Sequence, residues 1–404
     1  VEAVVRPINI DSTINQREFI DSATAASRLG IKLPTLYAYV SRGLLSSAGA
    51  SRAGGHIYRL SDVERLAERV RARRGHAAVA VHALRFGDPV LSSELTKVHT
   101  DGPHYRGESA VALVSRKASF EEVVQLLWGA PKPSAAGLRS APSMTAALRA
   151  ARGRAGDGLG RLLRVTTRLA TTSEHAWQPL EFIQLAARFG GLRIVKRAKS
   201  IAATVADAFD LPASSATHAA LEAALVLLAD HELNASTFAC RVAASTGARE
   251  EVALLAGLAA LTGPKHGTAS SLVLAFLQQS KGIQPRKLVQ TLNVTGQALP
   301  GFSHPLYPQG DPRFPPLFTA AQQLAPRATT LKRVQTLMHE AARLRDERPN
   351  VDLGLAALTL ALGAPPELAP FLFAIGRMAG WFAHAREQRE QGVLLRPRAR
   401  YTGR

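Results

Sequence analysis

The sequence predicts an all-α protein. Three observations lead there. Ala and Leu are abundant while aromatic residues make up only 6% of the chain. Apolar and polar residues seldom alternate at the strand period. Apolar stretches at helical spacing follow one another between Gly and Pro breaks, with no tandem repeat. At 404 residues, 46% of them hydrophobic, the chain is long enough for two or three domains with sizeable cores and too apolar to be disordered.

Residues 1–75 read as a separate small module. Asp21-Ser22 can cap a short helix whose apolar side is Ala25, Ala26 and Leu29. Gly30 supplies a turn, and a second helix opening at Pro34-Thr35 buries Leu36 and Val40. Gly43 ends that helix, and Leu44-Leu45 continue its apolar face. A glycine-containing hairpin follows over residues 52–59. Ser61-Asp62-Val63-Glu64 is a capping box opening a third helix, with Val63, Leu66 and Val70 inward. The spacing of Ala26, Gly30 and Leu36 and the order of elements resemble the winged helix-turn-helix of MerR-type regulators and excisionases. That resemblance implies a recognition helix in a major groove, with Lys32, Thr35, Tyr37, Tyr39, Ser41 and Arg42 facing DNA and Arg52, His56 and Arg59 on the wing. Few of these side chains suit a bidentate base contact, Arg42 being the best, and a protein-binding or vestigial module fits the same residues.

Residues 76–83 form the Ala-rich end of a basic linker. Next come a turn at residues 102–108 and an amphipathic helix at residues 120–128. Residues 153–160 are glycine-dense but match no phosphate-binding fingerprint, and read as a mobile surface loop. Cys240 is the only cysteine, which excludes an internal disulfide and a Cys-built zinc site; its apolar neighbours make it a core residue. No metal-binding motif is present, since neither His231-Glu232 nor His339-Glu340 completes HExxH. No signal-peptide pattern opens the chain, and the longest apolar run, 353–364, is too short to cross a bilayer, so a cytoplasmic protein without a membrane partner is expected. The net charge of +19 would draw nucleic acid or anionic metabolites, and equally describes a solvated Arg-rich surface.

Chemistry concentrates in segments far apart in the chain: Asp230-His231-Glu232, Gly263-Pro264-Lys265-His266-Gly267, Gly301-Phe302-Ser303-His304, Asp311-Pro312-Arg313 and Pro349-Asn350-Val351-Asp352. A carboxylate, imidazoles and arginines suit formation of an enolate and its addition to an anionic carbonyl compound. In this order, over residues 84–403, the motifs resemble the citrate synthase family. The resemblance implies condensation of acetyl-CoA with oxaloacetate to citrate and CoA, with no metal or organic cofactor. Asp352 would be the base, His266 the donor to the enolate oxygen and His304 the donor to the oxaloacetate carbonyl. Arg313, Arg377 and Arg396 would clamp the carboxylates, with His231 as a further hydrogen-bond partner and Phe373 packed against the substrate. Arg396 would come from the partner subunit of a homodimer. The family's architecture implies a large domain over 84–267 and 364–404 and a small domain over 268–363, closing on oxaloacetate before acetyl-CoA binds.

Some positions depart from the family pattern. Thr268-Ala269-Ser270 replaces Gly-Ala-Asn after Gly267, Ser303 replaces a glycine, Pro308 stands where a basic residue helps hold CoA, and Leu353-Gly354-Leu355 replaces an aromatic-rich stretch. Arg345, Arg348 and Lys265 are candidates to hold CoA phosphate instead, and Lys265 should also discourage a charged His266. Two further readings stay open. One is a 2-methylcitrate synthase using propionyl-CoA; the other is a DNA-binding regulator that uses a degenerate citrate synthase domain as a metabolite sensor.

Overall fold

A computed structural model describes residues 19–29, 31–41, 44–50, 56–60, 62–64, 66, 91–129, 142–153, 158–172, 177–196 and 199–397. The chain divides into two units, Val1–Ser92 and Ser93–Arg404.

In the first unit, β1 (Phe19–Asp21) leads into α1 (Ser22–Leu29) and α2 (Leu33–Ser41), followed by β2 (Gly49–Ala50) and β3 (His56–Arg59). The strands form an antiparallel sheet in the order β1-β3-β2, with Phe19 opposite Arg59 and Gly49 opposite Ile57. Asp21 Oδ1 accepts the Thr24 N–H at 2.7 Å, the cap expected for α1. Ala25, Ala26, Leu29, Leu36, Leu45, Tyr58, Val63 and Leu66 make one small core. Val40 packs at its edge, and Leu44 is exposed, contrary to the reading that it extends the apolar face. The turn glycine Gly30, together with Arg42, Gly43, Arg52, Ser61, Val70 and the 76–83 linker, lies outside the described residues.

The second unit opens with a second antiparallel sheet, β4 (Thr96–His99), β5 (Gly102–Tyr105) and β6 (Glu108–Ser109), where the sequence reads as a turn. Helices account for nearly all the rest. They are α3 (Ala110–Ser115), α4 (Phe120–Trp128), α5 (Pro142–Arg152), α6 (Gly158–Ala170), α7 (Pro179–Gly190), α8 (Ile201–Ala208), α9 (Ser215–Leu228), α10 (Ala235–Ser245) and α11 (Glu250–Leu261). They continue as α12 (Ala269–Gln279), α13 (Pro285–Val294), α14 (Phe314–Leu324), α15 (Thr329–Arg345), α16 (Val351–Ala361) and α17 (Leu368–Gln391). Gly158 and Gly160 lie in α6 and not in a surface loop, while residues 154–157 are outside the described set.

Side-chain caps explain many of the helix starts. Ser109, Ser119, Ser200, Ser214, Asn234 and Asn350 each accept a first-turn backbone N–H. The 24-residue α17 is buried on every side from Leu368 to Ala385, so it carries no apolar stripe; it packs against α4, α6, α7, α9, α10 and α11. A second packing group joins α16 to α12, α14 and α15. One hydrophobic core runs through both, and Cys240 is buried in it. Among the described residues, no helix is long and apolar enough to cross a membrane.

Candidate active site

One loop carries His304 and another leads into Asp352, and backbone pairing sets their spacing. Phe302 and Pro349 form an antiparallel bridge, Ser303 N donates to Arg348 O at 2.7 Å, and Asn350 N donates to Gly301 O at 2.9 Å. Gly301 (φ 85°) and Ser303 (φ 61°) both take left-handed backbone, which turns the chain sharply before His304. Asn350 does two jobs. Its Oδ1 caps α16 by accepting the Asp352 N–H at 3.0 Å, and its Nδ2 donates to Ser303 O at 3.0 Å. Asp352 therefore sits in the first turn of α16, locked to the His304 loop.

Asp352 Oδ1 is shielded from water and has no hydrogen-bond partner. Burial raises the Asp352 pKa to about 7; nearby Arg313 opposes the rise and Asp311 adds to it. His304 Nδ1 accepts the Leu306 N–H at 3.1 Å, which places the proton of the neutral ring on Nε2. Its pKa is lowered to about 4 by burial and by Arg313.

Arg313 is buried and forks onto Asp311, with Nε to Oδ1 at 2.9 Å and Nη2 to Oδ2 at 2.8 Å, leaving Nη1 outside the pair. Asp311 Oδ2 also accepts the Val351 N–H at 3.0 Å, tying this clamp to α16. The Arg313 guanidinium lies 5.6 Å from the Tyr307 ring centroid. The Tyr307 hydroxyl meets His231 Nε2 at 2.9 Å, and the His231 and His304 rings are 5.5 Å apart.

The other side of the site rests on α10, α17 and the loop after α11. Asn234 Oδ1 caps α10 and holds the Ser236 hydroxyl at 2.6 Å, and Ser236 Oγ meets His266 Nε2 at 2.7 Å and Trp381 Nε1 at 3.3 Å. His266 lies edge-on to Phe373 at 5.8 Å, and Phe373 lies under the Arg377 guanidinium at 4.9 Å. Burial, then Arg377, lowers the His266 pKa to about 4. Lys265 is exposed and is not among the causes of that shift, which corrects the role read from its adjacency. Burial lowers the Arg377 pKa to about 10; its Nε donates to Leu228 O at 2.9 Å while its buried Nη2 has no partner.

His231 joins the two sides. Burial drives its pKa well below the ordinary value, and Arg313, Arg377 and His304 all push the same way. His231, His304, Arg313, Arg377 and Asp352 thus share one electrostatic neighbourhood, and His266 and Phe373 enter it through Arg377. Arg396 does not join them: it is exposed beyond α17, where the neighbouring Leu395 N donates to Ser245 Oγ at 3.1 Å. Arg345 and Arg348 flank the Asp352 loop, paired with Glu347 at 2.9 Å and Asp346 at 3.0 Å. Tyr307, Ser236 and Asn350 are contributors that sequence reasoning did not assign. In the first unit, Lys32, Thr35, Tyr37 and Ser41 are exposed, Tyr39 is half-buried, and Arg59 is exposed on β3. Among the described residues, no cluster of side chains is suited to hold a metal ion.

A helical fold that gathers histidines, an aspartate and buried arginines into one neighbourhood is shared with known proteins. The family profile "Citrate synthase, C-terminal domain" matches residues 160–398. The citrate synthase of Haloferax volcanii is 30% identical over 330 residues, covering 72% of this chain and 87% of that protein. A "Putative citrate synthase 2" of Mycobacterium tuberculosis is 39% identical over 194 residues, covering 46% of this chain and 51% of that protein, so the chain spans about half the length of that relative. A Thermoplasma acidophilum citrate synthase, solved in ternary complex with carboxymethyl coenzyme A and oxaloacetate, shares the fold at a TM-score of 0.67 and 24% identity over 78% of this chain and 94% of that one. The chain belongs to the citrate synthase family.

Proposed function

We propose that this chain condenses acetyl-CoA with oxaloacetate to give citrate and CoA. The observation that carries the reading is the pairing of an unpartnered, desolvated carboxylate, Asp352, with imidazoles whose pKa values are depressed to about 4, beside two buried guanidiniums. Asp352 removes a proton from the acetyl methyl group, and His266 donates a hydrogen bond to the enolate oxygen as charge develops there. Ser236, itself donating to Asn234 Oδ1, holds the His266 ring in place through Nε2. His304, protonated on Nε2, polarises the ketone of oxaloacetate. The enolate carbon then bonds to the ketone carbon, whose C=O π pair moves to oxygen and takes up a proton, and water cleaves the citryl thioester to citrate and CoA.

The acceptor is a dianion, which suits the free edges of Arg313 and Arg377. Neutral imidazoles donate without adding a cation that would pair with the carboxylates. His231 binds the acceptor and Phe373 packs against it. Arg396, exposed in one chain, completes the clamp across a two-fold interface, so the active enzyme is a homodimer. Residues 268–363 act as a small domain closing on a large domain of residues 84–267 and 364–404, and Arg345 and Arg348 face CoA phosphate. The test is thiol release from acetyl-CoA, with propionyl-CoA in parallel to fix the acyl chain. Release that depends on oxaloacetate and is abolished by Asp352→Ala supports the reading, and release indifferent to oxaloacetate overturns it.

We further infer that the first unit binds DNA as a winged helix-turn-helix. Supporting this are two short helices packed through Ala25, Ala26 and Leu36, a small sheet of β1, β3 and β2, and exposed Lys32, Thr35 and Tyr37 just before and at the start of α2. Salt-sensitive binding to the protein's own upstream DNA, with a shallower salt dependence in Lys32→Ala, is the expected result; a salt-independent signal contradicts it.

A further inference from the structure

Behind the acceptor pocket lies a second set of buried polar groups that the condensation chemistry itself does not use. Asp230, Arg241 and His384 are each fully buried. Arg241 Nη1 lies 3.1 Å from His384 Nδ1, and a guanidinium can only donate, so the ring proton sits on Nε2, which donates to Asp230 Oδ2 at 3.0 Å. Arg241 is held in turn by Gln388 Oε1 at 2.8 Å, by Gln391 Oε1 at 2.7 Å and by an ion pair with Glu387. One turn before His384, α17 also packs directly on the carboxylate: a Cβ at Gly380 would lie 2.3 Å from Asp230 Oδ1 and 2.7 Å from Ala229 O. The Tyr105 hydroxyl donates to Val226 O at 2.9 Å and lies 3.4 Å from Asp230 N. His384 thereby holds one oxygen of the carboxylate while the other packs against Gly380, and the next residue in the chain is His231.

A carboxylate buried this completely is costly unless cations and hydrogen bonds offset it. Arg377 supplies charge without supplying a hydrogen bond, because its Nε goes to Leu228 O and its Nη2 has no partner. The effect is mutual: Asp230 opposes the lowering of the Arg377 pKa that burial causes. Arg313 is the opposite case, with most of its fork spent on Asp311.

We propose that Asp230 is a positioning residue for the acceptor site: held by His384 and Arg241, it fixes His231 and serves as counter-charge to Arg377 while leaving that guanidinium open to a dicarboxylate. The proposal rests on the condensing-enzyme reading above and assigns Asp230 to acceptor binding, not to the carbon–carbon step. Asp230→Asn keeps the size and the hydrogen bond from His384 but removes the charge.

The experiment measures oxaloacetate affinity of the full chain by calorimetry, with KM and kcat from thiol release. Asp230→Asn should raise Kd and KM for oxaloacetate by about tenfold or more, with kcat and KM for acetyl-CoA changing less than about threefold. A purely structural role would instead lower the melting temperature and leave that split unmoved. Should Asp230→Asn not fold, His384→Gln replaces it, with the same direction and a smaller rise in Kd. A wild type that binds oxaloacetate, beside a folded variant that binds it equally well, overturns the proposal alone. A wild type that neither binds oxaloacetate nor releases thiol overturns the functional reading as well.

Discussion

Burial does to Asp352 what water never does to an aspartate: it lifts the pKa from an ordinary 3.8 to about 7, where a base is strong enough to be useful and still ionised enough to act. His266 and His304, lowered to about 4, stay neutral across that range. The pH dependence of kcat/KM for acetyl-CoA should therefore rise through about 7 and level off, and a profile flat from pH 5 to 8 would contradict this assignment. Stability runs the other way. With its folded pKa raised, Asp352 contributes fully below the ordinary 3.8, and that contribution is lost as pH climbs through about 7. Asp352→Asn should then melt above the wild type at pH 8. Asp352, His266, His304 and Arg313 could be singled out as candidates in the sequence because each sits in a short motif with turn residues beside it. Tyr307 and Ser236 were not, because their roles come from contacts with His231 and His266 across 76 and 30 residues. Lys265 misled for the same reason in reverse: adjacency in sequence placed it beside His266, but its side chain is in solvent and the cation that matters is Arg377.

Element α1 announced itself because Asp21-Ser22 precede an apolar period, and α4 through its amphipathic spacing. Sheet β4–β6 did not, because strands of two to four residues with Gly102 and Pro103 inside them read as a turn. The glycines of 153–160 read as a loop, yet Gly158 and Gly160 lie in α6, where a Cβ at Gly158 would meet the Glu367 Cβ at 3.1 Å. At Gly267 the packing is tighter still. A Cβ would come within 2.3 Å of Leu261 Cγ and 2.7 Å of Leu261 O, so the turn that presents His266 requires glycine. Gly267→Ala should cost about 1–3 kcal/mol and displace His266, lowering both the melting temperature and kcat. A variant as stable and active as the wild type would show that this turn does not position the imidazole.

At the scale of the whole molecule, the helical class of the second unit was legible from composition and periodicity, and one chain leaves Arg396, the residue expected to serve a partner subunit, in solvent. If Arg396 serves the site of its two-fold mate, Asp352→Ala and Arg396→Ala should each be nearly inactive alone. Mixed by unfolding and refolding, they should regain about a quarter of wild-type activity, because half the dimers carry one intact site. No recovery on mixing would place Arg396 in its own chain's site or outside catalysis. The most direct test of the central claim follows the new carbon–carbon bond itself. With acetyl-CoA labelled with 13C at the methyl carbon and unlabelled oxaloacetate, NMR should show the label in a methylene of citrate, formed by the wild type and not by Asp352→Ala. Label remaining in acetyl-CoA, or appearing only in free acetate, would contradict the account.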